Sequence, residues 1–203
     1  DFGLNWSRIG NDLPREPVNV IIEDTKNENL LYVGTDHGVY ASLDIGNNFH
    51  AFMGGLPGTP VHDLVIHPRD NDLVVGTHGR SVFIANVEFL QKIDEDILSK
   101  SIHIFEVDDI KYSSRWGSKN WYGNLIEPSA SFVVFSDKDE EINMEIINDE
   151  GVLIDKKLKI SYGINYINNN LLADKKKKYL SKGKYRIKVS NLDSSYEENF
   201  VIN

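Results

Sequence analysis

The amino-terminal part of the chain repeats itself. Laid over residues 61–86, the stretch 18–52 recurs: Leu13-Pro14 answers Leu56-Pro57, Pro17-Val18 answers Pro60-Val61, Leu30 answers Leu73, and Gly34-Thr35 answers Gly76-Thr77. The offset is 43 residues from Val18 to Val61 and 42 from Gly34 to Gly76, where one loop residue is lost. Asp44-Ile45-Gly46-Asn47-Asn48-Phe49 likewise follows Asp1-Phe2-Gly3-Leu4-Asn5-Trp6 by 43 residues. A long fixed period narrows the fold sharply, because each unit must be a small supersecondary element that buries its apolar face by stacking on its neighbours.

Within each unit the apolar runs are short and separated by turn residues, which predicts strands. In the first they fall at Val18–Glu23, 30–35, 39–43 and 49–52; in the second at Val61–His67, 73–77 and 81–86. A further strand is expected at residues 6–9, entered from a hairpin turn at 1–6. The run Val20-Ile21-Ile22 predicts a strand buried on both faces. About four strands in about 40–45 residues is the period of a β-propeller blade. The second unit has no fourth strand after Asn86, as expected where a propeller ring is closed by a strand from its other end.

In Ser42-x-Asp44-x-Gly46-x-Asn48-Phe49 each residue type has a physical use. The hydroxyl and carboxylate can accept from turn amides, the glycine can take φ > 0, and the aromatic ring can fold over the hairpin. The pattern resembles the Asp-box of sialidases, xyloglucanases and sortilin-like propellers. The resemblance implies a structural role for Asp1, Gly3 and Trp6 and for Ser42, Asp44, Gly46 and Phe49, on the face away from the usual ligand site.

After Asn86 the repeat stops. Phe89, Leu90, Ile93, Ile97 and Leu98 have mixed helical spacing, and Asp94-Glu95-Asp96 suits a first helical turn, so 87–101 is expected to be a helical connector. From residue 102 onward seven strands are expected, at 102–107, 132–136, 142–148, 152–159, 165–172, 184–190 and 197–202. Ile142, Met144 and Ile146 alternate with Asn143 and Glu145, and Tyr185, Ile187 and Val189 alternate with Arg186 and Lys188. Such half-buried strands over about 100 residues predict an immunoglobulin-like or fibronectin-like sandwich. The fold class is therefore all-β, with a partial propeller at 1–86, the connector at 87–101 and the sandwich at 102–203.

The order of parts is more distinctive than any motif. A blade carrying Gly76-Thr77-His78-Gly79-Arg80-Ser81-Val82-Phe83, the connector, Ile102-His103-Ile104-Phe105, a Trp/Gly loop and a terminal sandwich together resemble the carboxy-terminal end of large secreted bacterial sortilin-like, Asp-box propeller proteins. Many of these are labelled glycosyl hydrolases. The resemblance implies a secreted or cell-surface bacterial protein of several domains. The pattern at Asp1 lacks its usual preceding Ser, and two blades alone would leave a large apolar face wet. This chain is thus expected to be the carboxy-terminal piece of a longer polypeptide, with the remaining blades, in the same or another chain, as its first partner.

Charge and composition restrict the other partners. The net charge is −9, and residues 1–101 hold 7 basic and 15 acidic side chains, a field that argues against a nucleic-acid backbone. There is no cysteine, hence no disulfide framework or thiolate metal site, and no apolar run approaches the ~18 residues of a membrane span.

Chemistry is sparse. A sialidase-like site needs clustered arginines, and residues 1–86 offer only Arg8, Arg15, Arg69 and Arg80, at unrelated blade positions. Asp36 and Asp63 are the acids near the expected ligand-face loops and are assigned to turns or caps. No nucleophile and base pair, so no catalytic residue is assigned, and no cofactor is expected. His62 and His67 lie five apart in one strand, which puts them on opposite faces, so with His78 they are not assigned as a metal site. The candidate binding residues are Asp36, His37, His78 and Arg80, in matching turns between second and third strands. Arg80 is expected to tie its blade to a carboxylate, with Asp63 on the same blade. Lys175 to Lys178 suggest a solvated hairpin tip. Trp116, Trp121 and Tyr122 could stack a carbohydrate, but burial against a neighbouring domain is preferred. The expected function is non-catalytic binding or scaffolding outside the cytoplasm, through a surface protein, a peptide or a carbohydrate. The alternative is a glycoside hydrolase whose carboxylates lie in other blades.

Overall fold

The computed structural model describes residues 2–52, 58–174 and 177–203. Asp1, the Leu56-Pro57 pair of the repeat and the lysines at 175 and 176 lie outside them. Among the described residues the chain is all-β, built from several antiparallel sheets without a barrel, and it divides into two compact units, Asp1–Ile93 and Asp94–Asn203.

In the first unit, β1 (Val18–Glu23), β2 (Leu31–Thr35), β3 (Val39–Ser42) and β4 (His50–Ala51) form a meander in that order. A second meander contains β5 (Val61–His67), β6 (Asp72–Thr77) and β7 (Val82–Asn86). The repeat in the sequence is also a repeat of backbone geometry. The first strand of each sheet shifts register at the same place, between Val18 and Val20 and between Val61 and Asp63. The lost residue is regained in the following turn. Thr35 N donates to Gly38 O three residues on, whereas Thr77 N donates to Ser81 O four residues on. A Cβ on Gly34 would lie 2.7 Å from the side chains of both Val20 and Val61, so glycine is what lets β2 and β5 approach here.

Two expectations are corrected. β2 is the strand buried along its whole length, whereas in β1 Val18 and Ile21 are half exposed. β1 stands at the margin of its sheet, and an apolar run does not reveal whether a neighbour covers both faces. Residues 6–9 form no strand, because Trp6 Nε1 donates to Gly3 O and the indole folds back over its own turn. Leu4, Trp6 and Ile9 are exposed.

The three-stranded sheet is two-faced. Leu64, Ile66, Leu73 and Val75 are buried on one side, while Val65, Val74 and Ile84 lie in register on the other. Val65 is 55% exposed, Ile84 67%, and Val82 60%.

The helical residues at 87–101 form two single turns, α1 (Glu88–Gln91) and α2 (Glu95–Leu98), the latter capped by Asp94, which accepts from Ile97 N. α1 is bound into the first unit by a buried carboxylate. Asp24 accepts from Lys26 N, Asn27 N, Tyr32 OH and Gln91 Nε2, and Asn27 Nδ2 donates to Ile93 O at 2.7 Å. Burial, followed by the nearby Asp24 charge, pushes the Tyr32 phenol far above its usual range.

The second unit has two antiparallel sheets. One holds β11 (Gly151–Ile160), β10 (Glu140–Asn148), β13 (Gly183–Ser190) and β14 (Ser195–Ile202) in that order; the other holds β12 (Gly163–Asn169), β9 (Ala130–Ser136) and β8 (Ile102–Ile104). The period-two alternation reads out directly as burial. Ile142, Met144, Ile146, Ile187 and Val189 enter a single core with Phe132 and Val134 of the other sheet. Tyr185 turns inward, stacks on Phe200 with centroids 5.6 Å apart, and donates its hydroxyl to Ser181 O.

Both margins of the four-stranded sheet are occupied. Ile110 bridges Ile202 in parallel, with Ile110 N donating to Val201 O and Asn203 N to Ile110 O. On the other margin Asp155 N donates to Asp174 Oδ2 and Asp174 N to Leu153 O.

The aromatic loop departs from expectation. Trp116 is half-buried against this unit's own core, 5.1 Å from Tyr112, but Trp121 and Tyr122 are 96% and 85% exposed. A hairpin holds them out: Gly117 N donates to Ile126 O, Ile126 N to Ser118 O, and Asn120 Oδ1 accepts from the amides of Tyr122 and Asn124.

Candidate functional site

The predicted binding residues sit on the paired turns of the first unit. In the β2–β3 turn the fully buried Thr35 donates its hydroxyl to Gly38 O and accepts from His37 N, which leaves Asp36 and His37 to the surface side. Asp36 accepts from Asn19 Nδ2 at 3.0 Å, and His37 Nδ1 pairs with Glu16 Oε2. The second oxygen of Glu16 is buried without a partner among the described residues. Burial, then the Glu16 charge, raises the Tyr40 phenol above its ordinary value.

The β6–β7 turn repeats the device one residue longer. Thr77 donates its hydroxyl to Ser81 O, and His78 N donates to Pro60 O. Gly79 and Ser81 both have positive φ, at 76° and 91°. His62 occupies the register shift of β5 and is thereby re-aimed. Its ring lies 5.3 Å from that of His78.

Of the candidate histidines the structure thus joins His62 to His78, while His67 pairs with Asp70. No three His, Asp or Glu side chains converge as metal ligands among the described residues. Arg80 does not reach Asp63, whose carboxylate accepts from Leu64 N next to it. Arg80 is exposed and forms no ion pair with Asp63, its expected tie, among the described residues. Arg80→Lys should therefore change unfolding free energy by no more than about 0.5 kcal/mol, as for ordinary surface substitutions. A larger loss in urea titration would show a tie in solution.

Glu16 and Asn19 were not singled out from sequence, although the repeat carried the signal. Glu16 precedes Pro17 as Thr59 precedes Pro60, and Thr59 donates to His78 O as Glu16 pairs with His37. One turn thus gathers Glu16, Asp36 and His37, and the other brings His62 to His78, so the paired turns present groups of both charges. Asp36 and Asp63 both already accept from neighbouring N–H groups. The arrangement suits recognition of a ligand carrying both donors and acceptors.

The turn from Ser42 to Phe49 is engaged with its own backbone. Ser42 Oγ donates to Asp44 Oδ1 and accepts from Gly46 N; Asp44 accepts from Asn48 N at 2.8 Å and Asn48 Nδ2 at 2.6 Å. Gly46 takes φ 82°, and Phe49 is buried with Leu31 and Val33. Burial works against the Asp44 charge, but the Asn48 side chain and amide and the Ser42 hydroxyl prevail and hold its carboxyl below the usual range.

A cost of about 1–3 kcal/mol for Asp44→Ala would hold if the freed turn amides were buried; because the Asn48 donors are exposed and turn to water, about 0.5–1.5 kcal/mol is expected. Because the folded value lies below the unfolded one, about 3.9, this stabilisation is present above the unfolded value and is lost as pH falls through the folded value. Wild-type and Asp44→Ala stabilities should converge on acidification, as followed by urea melts; a pH-independent gap would sink the assignment.

No family model matches the chain, and no curated protein matches it. Two crystal structures of the extracellular domain of BT4673 from B. thetaiotaomicron are similar to it at 12% identity, with TM-scores of 0.30 and 0.27. They cover 95% and 92% of this chain, which spans about a quarter of their length, 26% and 25%. No described helix is long and apolar enough to cross a membrane.

Proposed function

We propose that the first unit is a pair of Asp-box propeller blades, that the second is an immunoglobulin-like sandwich, and that the chain is part of a larger sortilin-like protein that binds or scaffolds outside the cytoplasm without catalysis. The observation that carries this reading is the recurrence, at offsets of 43 residues for the bulge and 42 for the threonine-closed turn, of the same bulge, turn and strand order in two successive meanders. Meanders of this kind bury their faces on one another. The row Val65, Val74 and Ile84 is then the face that meets a further blade. Binding is favoured over hydrolysis because Asp36 and Asp63 are both engaged by neighbouring N–H groups.

An open blade face makes a clear expectation for the isolated chain. It should self-associate at micromolar concentration and bind a fluorescent apolar dye, and Val65→Glu with Ile84→Glu should make it monomeric with unchanged circular dichroism. Sedimentation of a wild type that is already monomeric and dye-silent would overturn the propeller assignment.

A further inference from the structure

Two cavities of the second unit share a rim at Pro128 and Ser129. Both are open clefts: the larger, about 450 Å³, is lined by Asp108, Asp109, Lys111, Trp116 and Glu127 among others, and the smaller, about 310 Å³, by Lys156, Asn169 and Asn170. Both volumes are of small-molecule size. Glu127 is held in place, its Oε1 accepting from Tyr179 OH at 2.8 Å and Asn170 Nδ2 at 3.1 Å. Asp108 is exposed and has no hydrogen bond or ion pair among the described residues.

An independent feature marks the smaller cavity. Asn169 is 4% exposed, and its Oδ1 accepts from Leu171 N, which fixes which way the amide faces. Its Nδ2 is buried without an acceptor among the described residues. Buried donors are nearly always paired, so an unpaired one in a residue that lines the smaller cleft points to an acceptor supplied from outside the chain.

We propose that this double cleft binds a short, neutral, hydroxyl-rich oligosaccharide. Carboxylates accept from sugar hydroxyls, the Asn169 amide donates to one, and the half-exposed Trp116 indole offers an apolar face to the C–H side of a ring. Asp108, Asp109 and Glu127 outnumber Lys111 and Lys156 along the lining, so the site disfavours anionic ligands. Two cavities meeting at one rim suit consecutive sugar units. The site supplies a ligand class for the binding reading and rests on it only in taking the chain as a binder.

The test is calorimetric titration of the full chain with cellotetraose, laminaritetraose, xylotetraose and mannotetraose, each to about 10 mM. Saturable binding of at least one is expected, weakened tenfold or more by Asp108→Asn, an exposed position where folding is not at risk, and unaffected by Trp121→Ala at the hairpin tip. No saturable binding to any of the four overturns the proposal, as does binding that Asp108→Asn weakens less than tenfold or that only Trp121→Ala weakens. Failure here, with monomerisation by the charged sheet-face variant, would leave the blade assignment standing.

Discussion

Phe200→Ala should lower the stability of the second unit by about 3–5 kcal/mol, the usual cost of emptying a fully packed aromatic site. Phe200 is 2% exposed, lies flat on Tyr185, and meets Phe132 edge-on with centroids 5.7 Å apart. Its removal strips a partner from both rings in a core drawn from both sheets. Neither sheet can close the void without moving its partner, so relaxation should be slight. The fluorescence of the half-buried Trp116 should report the transition at clearly lower urea than in wild type. A loss below about 1 kcal/mol would mean that the two sheets do not share this core.

The second large effect is expected at Asp24. It is 8% exposed and gathers two backbone amides, the Tyr32 hydroxyl and the Gln91 side chain. Asp24→Ala leaves these donors in a site that water reaches poorly, and hydrogen bonds to a charged group are among the stronger ones. A cost of about 3 kcal/mol is expected in the first unit, with α1 released. Amide exchange separates the two consequences: Gln91 N and Lys92 N, which bond within α1, should lose protection first. If their protection survives in a destabilised variant, Asp24 supports only its own turn.

Much of this architecture is visible in the residues. Ile142, Met144 and Ile146 enter the core because alternation and pleat share a period, and β1 and β5 run from Val18 to Glu23 and from Val61 to His67 as their apolar runs indicate. The failures have physical causes. Residues 163–169 form β12 although residues 165–172 were expected, because Gly163, with φ 89°, opens the strand early. Beyond its end, Leu171 takes φ 53° and its amide turns to Asn169 Oδ1. Residue 49 was counted in a strand, but Phe49 N donates to Asp12, which shortens β4 to two residues. Trp121 and Tyr122 were expected to be buried because aromatic rings usually are, yet an asparagine-braced hairpin tip holds them in solvent. At the candidate rim, Asp36, His37 and His78 could be placed from the repeat. The partners of His37 and His78 could not, because they depend on a one-residue bulge and on which side chain happens to precede each proline.

The occupied margins of the four-stranded sheet decide where this molecule can and cannot grow by strand addition. An open edge is a template for another chain, and proteins that remain soluble block theirs. In the second unit the segment through Ile110 covers β14, and Asp174 takes the β11 backbone at residues 153–155. That sheet therefore offers no ready template for edge-to-edge polymerisation. β7 is paired only with β6 among the described residues and carries no charged side chain from Val82 to Asn86. If the chain forms ordered aggregates on storage, they should begin at this edge, and a lysine placed there should suppress them before any change in the sandwich core would.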